Sequence, residues 1–179
     1  MGQVHPHPPV LAIIAAFSRH GEALKWAKQR AADRWGPVAL ESEPFAFDDT
    51  AYYEREMGPG LRKVFLAFER LIDPAELVAR KLAANEWEEE FRASGDAPEI
   101  RPLNLDPGYL TEAKLVLATT KDRDHRLYLE RGIDAEVTLH FHRGAWRPRE
   151  WTYPDYRRSE YHRFFDRCRD YYRERRRGG

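Results

Sequence analysis

An alternating stretch in the second half of the chain constrains the fold most. Apolar and polar residues alternate without a break from Ile133 to His142, and strict alternation over this length is typical of a β-strand with one buried face. A shorter alternating segment, residues 126–130, precedes it. Gly132 lies between the two segments and suits the left-handed position of a three-residue hairpin loop, residues 130–132. The sequence therefore predicts a β-hairpin.

Only one register of this hairpin keeps apolar residues together. Pairing Leu127 with Ala135 places both on the buried face, whereas a shift of one residue sets apolar against polar side chains. The same register sets Arg126 opposite Glu136 on the other face. We therefore predict a cross-strand ion pair, which is either an ordinary surface pair or part of a functional site.

Composition indicates a single globular domain. The chain has 179 residues, 42% of them hydrophobic, and a formal net charge of zero, so no overall field favours nucleic acid or a membrane surface. The single cysteine, Cys168, argues against a disulfide framework and a cysteine-based zinc site. The longest apolar run, residues 10–17, is too short for a membrane span. We expect a loose tail at residues 1–9, one domain at residues 10–175, a cytoplasmic location and no membrane partner.

The order of the predicted elements indicates an α+β fold with a ferredoxin-like split β-α-β core. An antiparallel meander from residue 114 onward extends this core, and a C-terminal helix that begins near Ser159 packs against it. The predicted core strands are residues 10–17, 38–47, 61–68 and 100–105. The apolar stripe of the last helix consists of Tyr161, Phe164, Phe165, Cys168, Tyr171 and Tyr172.

Several common catalytic motifs are absent. The chain has no G-x-x-x-x-G-K-[ST], G-x-G-x-x-G, H-E-x-x-H or G-x-S-x-G sequence, which argues against the commonest NTPase, dehydrogenase, zinc-protease and serine-hydrolase sites. His140 and His142 share a strand face with Glu136, and such a set can hold zinc or iron. Side chains two apart on a strand more commonly form a solvated face, so we assign no metal, and no cofactor is identified.

Charged residues beside the predicted sheet suggest a binding site instead. Residues 121–126 contain lysine, arginine and histidine, which suit a phosphate or carboxylate group, and the histidine can move a proton near neutral pH. A turn predicted at residues 106–109 would aim polar side chains into a cleft. In each place the alternative is an ordinary charged loop.

These residues predict a small anionic ligand, phosphorylated or nucleotide-like, bound on the polar face of the sheet. The predicted catalytic residues are Glu136, His125, Glu41 and Glu43, and the predicted ligand-binding residues are Arg126, Lys121, Lys114, Asp106, Tyr109 and Thr120. Whether the protein is an enzyme stays open, as does its oligomeric state.

The C-terminal helix suggests a different function. Nine arginines lie between Arg157 and Arg177, interleaved with aromatic residues, and this combination can bind phosphates and stacked bases. A non-catalytic RNA- or protein-binding module is therefore the alternative. Because most arginines lie opposite the aromatic stripe, we favour a helix packed on the core, and nucleic acid is not the favoured partner.

Four motifs resemble a known family. They are LESEPFAFDDTAYYEREMG (residues 40–58), LNLDPGYLTEAKLVLATTKDRDHRLYL (residues 103–129), GIDAEVTLHF (residues 132–141) and WTYPDYR (residues 151–157). They closely resemble the bacterial domain-of-unknown-function family 4416, over about residues 10–172. The resemblance implies a small bacterial cytoplasmic domain and supplies no reaction, substrate or cofactor. Besides the residues above, it places Tyr52, Tyr53, Glu56, Thr119 and Asp155 within family motifs.

Overall fold

The computed structural model describes residues 2–178, without the side chain of residue 51. Over these residues it shows one antiparallel sheet of nine strands and four α-helices, which confirms the predicted α+β class. The strands are β1 (Val10–Ser18), β2 (Val38–Glu41), β3 (Phe45–Ala46), β4 (Arg62–Ile72), β5 (Asn104–Leu110), β6 (Lys114–Thr119), β7 (Leu127–Glu130), β8 (Ile133–His142) and β9 (Ala145–Pro148). The helices are α1 (Gly21–Trp35), α2 (Glu54–Met57), α3 (Glu76–Ser94) and α4 (Ser159–Arg177), with short 3₁₀ turns at Ala51–Tyr53 and Pro154–Arg157.

Strand β1 lies inside the sheet and is buried along its whole length. The strand order is β2-β4-β1-β5-β6-β8-β7, with β3 paired to β4 and β9 paired to β8. All nine residues of β1 are buried. A strand can be apolar on both faces only where both faces are covered, so the sheet must carry packing elements on each side.

Helices cover the two faces of the sheet. Helices α1 and α3 pack against the even-numbered side chains of β1, such as Ala12 and Ile14, and Trp35 and Trp87 fill that layer. Helix α4 packs against the odd-numbered side chains, such as Ile13, through the apolar stripe predicted from the sequence. Within residues 2–178, no helix combines the length and the apolarity of a membrane span.

The region after β1 is more broken than predicted. The expected strand at residues 38–47 divides into β2 and β3, and β4 extends past residue 68 to Ile72. The expected loop at residues 48–60 contains a 3₁₀ turn and helix α2. Met57, at the end of α2, is completely buried beside Phe17 and Phe47, so this segment folds because it has an apolar residue to bury.

Strand β5 corrects two predictions. The strand begins at Asn104 rather than residue 100, and the predicted turn at residues 106–109 lies inside it. Pairing with β6 begins only at Gly108, so the missing N–H of Pro107 removes no hydrogen bond of that ladder. A Cβ at Gly108 would lie 2.2 Å from the carbonyl oxygen of Val116. The proline and the glycine are strand residues here, at a place where β5 and β6 come into close contact.

The predicted hairpin is present with a shorter turn. Leu127 pairs with Ala135, as predicted, but the turn consists of Arg131 and Gly132, with φ angles of 53° and 77°. Glu130 therefore pairs with Ile133, and the extra residue forms a bulge. The apolar side chains of β7 are exposed rather than buried, because β7 is the last strand of the sheet.

A second bulge divides the alternating stretch in β8. Val116 of β6 pairs with Val137, but the next residue, Leu115, pairs with Leu139. Ile133 packs with α3, whereas Leu139 packs with α4. The alternation therefore changes face within β8, although a single buried face was predicted.

Replacing Gly108 by alanine tests the close contact between β5 and β6. The added methyl group would overlap backbone, so we expect a loss of about 3 kcal/mol in unfolding free energy, at the upper end for an overpacked position. Urea denaturation measures it. Gly21→Ala is the control, since nothing lies within 4 Å of a Cβ at this position. Equal stabilities of the two variants would contradict the contact.

Candidate functional site

The predicted ion pair between Arg126 and Glu136 is confirmed. Arg126 Nε donates to Glu136 Oε2 at 2.8 Å, and the two side chains are only 4% and 3% exposed. The other guanidinium nitrogens of Arg126 contact the Lys121 carbonyl at 2.8 Å, the Thr119 hydroxyl at 3.5 Å and the Tyr153 hydroxyl at 3.3 Å. Segment 149–157 covers this pair through Tyr153. The alternative considered from the sequence, an ordinary surface ion pair, is therefore wrong.

His125 completes this group, which we call the arginine cluster (Thr119, His125, Arg126, Glu136 and Tyr153). Its Nε2 lies 3.2 Å from Glu136 Oε2, and its Nδ1 lies 3.1 Å from Asp124 Oδ1. The imidazole stacks on Trp151, with ring centroids 5.1 Å apart and planes 11° apart. One carboxylate thus holds both a guanidinium and an imidazole.

A second group lies where β5 and β6 part, and we call it the strand-gap cluster (Lys81, Glu88, Arg101, Asn104 and Asp106). The N–H of Leu105 donates to Glu88 Oε1 at 2.7 Å, and Lys81 Nζ donates to the Leu105 carbonyl at 2.8 Å. Side chains of α3 therefore take the place of β6 as hydrogen-bond partners. Lys81 also lies 3.3 Å from Asp106 Oδ1.

Charge and burial act in opposite directions on the acids of this cluster. Burial raises the pKa of Glu88, despite Lys81 and Arg101 nearby. Burial also raises the pKa of Asp106, but the ammonium groups of Lys81 and Lys63 outweigh it and hold the pKa below its ordinary value. The Asn104 amide donates to Asp106 Oδ2 at 2.7 Å and favours the same charged form.

A buried lysine forms the third group, the lysine cluster (Lys63, Asp155 and Tyr156). The Lys63 ammonium bonds to the Asp155 carboxylate, and both side chains are about 4% exposed. The ammonium also lies 3.9 Å from the centre of the Phe47 ring and 5.0 Å from that of Tyr156. Aromatic faces attract a cation, and the carboxylate neutralises it, so the charge is doubly stabilised away from water.

The three clusters are close enough for their charges to act on the same tyrosines, and we call the region between them the central cleft. Burial raises the pKa of Tyr53, and the charges of Asp106 and Asp155 raise it further. Burial likewise raises the pKa of Tyr156, and Asp155, Asp106 and Glu136 add to the effect. Electrostatic effects of this kind weaken with distance. Tyr156 therefore lies near one carboxylate of each cluster, namely Asp155, Asp106 and Glu136.

The hydroxyl of Tyr156 has no hydrogen-bond partner, although the residue is only 3% exposed. Buried polar atoms in proteins are almost always bonded, and an exception calls for an explanation. The hydroxyl of Tyr161, a residue on the buried face of α4 that is 0% exposed, is also unpartnered.

Exposed aromatic side chains surround the entrance of the cleft. Tyr52 packs edge-on against Tyr53, and its hydroxyl lies 3.5 Å from Lys121 Nζ. Tyr153 approaches from the other side through Arg126. None of the ion pairs found within residues 2–178 involves Lys121, whose ammonium lies 5.2 Å from the centre of the Tyr52 ring.

A family model describing a domain of unknown function, DUF4416, matches residues 8–172. The chain belongs to this family. The match covers nearly the whole chain and confirms the resemblance found in the motifs. A search of curated proteins found no match, and neither did a search of solved structures.

In this DUF4416 chain, three predicted site residues lie away from the central cleft. Glu41 is on β2, which four strands separate from β8 in the sheet, and pairs with Lys28 at 2.5 Å. Glu43 lines a groove beside α4. Lys114 lies at the far end of β6, paired with His140 of β8. The structure therefore does not bring Glu41 and Glu43 together with Glu136, because these strands lie on different sides of β1.

The remaining predicted ligand-binding residues divide between the two faces. Asp106 lies in the cleft, although on a strand and not on the predicted turn. Tyr109 packs against the layer of α1 and α3 on the opposite face. Thr120 follows β6, but the neighbouring Thr119 makes the contact with Arg126.

The histidines at 140 and 142 stand apart from the cleft. Their ring centroids are 6.3 Å apart, and Glu136, their suggested third partner, bonds to Arg126 instead. Over the described part of the chain, no three histidine, cysteine or acidic side chains form a group able to hold a metal ion.

Several residues of the cleft were not predicted from the sequence. Lys63 and Lys81 were overlooked because a single lysine in a strand or helix normally reaches water. Lys63 follows Arg62 at the beginning of β4, before five apolar residues, and this position gave no indication that the side chain is buried. Tyr53 and Asp155 were visible only as members of family motifs, since no periodicity assigns them a role.

Breaking the buried pair tests its contribution to stability. Glu136→Gln leaves the Arg126 charge without its partner, so we expect a loss of about 3–5 kcal/mol in unfolding free energy at pH 7. Glu22→Gln, in the exposed pair with Lys25, should cost less than about 1 kcal/mol. Chemical denaturation compares the two variants. Equal losses would show that Arg126 is not desolvated.

The lowered pKa of Asp106 should make the unfolding free energy of the protein depend on pH. Its folded-state pKa lies below the ordinary value of 3.8, so folding favours the charged form. This contribution is present above the unfolded-state pKa and is lost as pH falls through the folded-state pKa. The wild-type protein should therefore be more stable than Asp106→Asn at pH 6, and denaturation at a series of pH values should show the difference shrinking below pH 4. A constant difference would contradict the assignment.

Proposed function

We propose that the protein binds a small anionic molecule, phosphorylated or nucleotide-like, in the central cleft. The observation that carries the proposal is the buried, unpartnered hydroxyl of Tyr156, which lies near Asp106 and Glu136. Leaving a buried hydroxyl without a partner costs about 1–3 kcal/mol. A ligand that displaces the side chains now covering this hydroxyl would supply the missing partner.

The concentration of buried charge supports a binding role. Lys63, Asp155, Arg126 and Glu136 are all at most 9% exposed. A buried ion pair is often no more stabilising than apolar residues of the same volume, so stability alone is a poor reason for two such pairs. Charged groups held in fixed positions inside a cleft are typical of ligand sites.

The entrance of the cleft suits the two parts of a nucleotide-like ligand. Lys121 offers an ammonium group that can contact a phosphate. Tyr52 and Tyr153 are 69% and 45% exposed, and such rings can stack on a base. The Arg126 guanidinium is already used by Glu136, Tyr153 and a backbone carbonyl, so we assign it to holding the cleft together.

If the protein turns the ligand over, His125 is the group that moves a proton. It stands at the edge of the arginine cluster with its side chain 18% exposed, and an imidazole can both accept and donate a proton. Glu136 would orient this imidazole and not itself react, since its carboxylate is shared among Arg126, His125 and Thr138.

We also propose that the strands around β1 form the predicted ferredoxin-like core. Helix α1 connects β1 to β2, and α3 connects β4 to β5. In the order β2-β4-β1-β5, each connection spans one intervening strand, which is the arrangement of a split β-α-β unit. The cytoplasmic location expected from the sequence stays a prediction.

The alternative, an RNA- or protein-binding role for α4, has less support. Four of the nine arginines, Arg157, Arg158, Arg169 and Arg173, bond to backbone carbonyls or acids within the protein. Arg163 and Arg167 share their groove with Glu43 and Glu160, which would repel phosphates. Only Arg175–Arg177 at the helix end remain as an unopposed basic group, so we do not favour nucleic acid.

A thermal-shift screen tests the proposal. Nucleotides and sugar phosphates are compared with the corresponding nucleosides and free sugars, so that each pair differs only in phosphate. A ligand present at 100 times its dissociation constant stabilises the folded state by about 2.7 kcal/mol. We expect at least one phosphorylated compound to raise the melting temperature and its unphosphorylated form to raise it less. No shift with any phosphorylated compound would contradict an anionic ligand.

Two matched tyrosine variants then locate the site. Tyr156→Phe removes the unpartnered hydroxyl assigned to the ligand, and Tyr161→Phe removes another buried, unpartnered hydroxyl on the neighbouring ring, whose centroid is 5.8 Å away. Neither variant should destabilise the free protein, since neither hydroxyl has a partner to lose. We expect Tyr156→Phe alone to weaken binding about tenfold, the effect of one hydrogen bond. Equal affinities of the two variants would place the ligand elsewhere.

A further inference from the structure

Exposed apolar residues concentrate on the last strand of the sheet. Eight large hydrophobic side chains are exposed among the described residues, and three of them are consecutive in β7: Leu127 (75%), Tyr128 (66%) and Leu129 (42%). Strand β7 is the last strand in the sheet order. One of its edges pairs with β8, and the other edge has no neighbouring strand. An exposed apolar edge strand is a template for pairing with another strand.

The features that usually protect such an edge are few in β7. Its one charged residue, Glu130, stands at the end of the strand, and the remaining protection is its short length of four residues and the bulge at Leu129. The strand contains no lysine or proline. The edge therefore needs a cover.

We infer that this cover is a second copy of the chain, with the two β7 strands paired antiparallel about a two-fold axis at Tyr128. This register sets Tyr128 opposite the partner's Tyr128, and Leu127 opposite the partner's Leu129 on each side of the axis. Two-fold pairing needs a self-complementary surface. A shift by two residues in either direction would set an apolar residue against Arg131 or His125, so the register at Tyr128 keeps the most apolar pairs.

Charges next to β7 fit the same arrangement. The register brings Asp124, whose side chain is 99% exposed, beside the partner's turn, which carries the exposed Arg131. The two-fold axis repeats this contact on both sides, so two pairs of opposite charges favour the arrangement.

Pairing at β7 would also reach the central cleft. The partner's Arg131 would lie beside His125, at the entrance, and would add a positive charge to the one that Lys121 supplies. This consequence rests on the proposed function, whereas the homodimer itself does not. The dimer tests below need no ligand, so a failed ligand screen and a failed dimer are separate results.

Sedimentation of the full chain over a wide concentration range tests for the dimer. A four-residue edge makes a small interface, so we expect dissociation in the micromolar range and an increase in mass between about 1 and 200 µM. Leu127→Lys should raise the dissociation constant at least tenfold. Ile100→Lys is the matched control, since Ile100 is 74% exposed before β5 and should leave the dimer unchanged. A monomer throughout, or equal effects of the two variants, would overturn the inference.

Cysteine cross-linking tests the register. Opposite residues in antiparallel strands have Cα atoms about 4.5–5.5 Å apart, which suits a disulfide. Tyr128→Cys should therefore form a linked dimer under mild oxidation. Leu127→Cys alone should not, but it should link to Leu129→Cys when the two proteins are mixed. Wild type should stay unlinked, because Cys168 is buried. A dimer that does not link through Tyr128→Cys, or that links through Leu127→Cys alone, would refute the pairing.

Discussion

The structure depends on β1, a strand that is apolar on both faces and paired on both edges. Burying such a strand requires a packed layer on each side of the sheet, and α1 with α3 forms one layer while α4 forms the other. Because both faces of β1 are buried, this strand carries no charged side chain. The buried charged side chains of the cleft lie on other strands instead, such as Lys63 on β4, Asp106 on β5 and Glu136 on β8.

The opening between β5 and β6 explains why polar groups gather there. Strand β5 pairs with β1 from Asn104 to Leu110 but with β6 only from Gly108. The backbone of Leu105 still requires partners, and Glu88 and Lys81 of α3 supply them. Side chains that complete the sheet thus become the wall of a cleft, which Asp106 shares with the lysine cluster. The early end of the β5–β6 ladder leaves backbone groups that need hydrogen-bond partners, and the side chains that supply these partners form a polar site.

The sequence predicted those site residues that follow from strand geometry. Arg126 and Glu136 were found because a hairpin has one register that keeps apolar residues on one face, and cross-strand neighbours follow from it. Glu41 and Glu43 were grouped with Glu136 because all three lie in predicted strands, yet the sheet order separates β2 from β8, and Glu43 lies between β2 and β3. Alternation of apolar and polar residues indicates which face of its own strand a residue occupies. It does not indicate which strands are neighbours in the sheet.

By itself the sequence determined the local periodicities: a buried strand at β1, the β7–β8 hairpin and the apolar stripe of α4. These follow from neighbouring residues, whose spacing and burial are set by backbone geometry. Only the tertiary structure decided that Pro107 and Gly108 belong to a strand, that a bulge moves Leu139 to the α4 face, and that Lys63 meets Asp155. Each of these depends on contacts between segments far apart in the chain, and hydrogen bonding and packing across them override local preference.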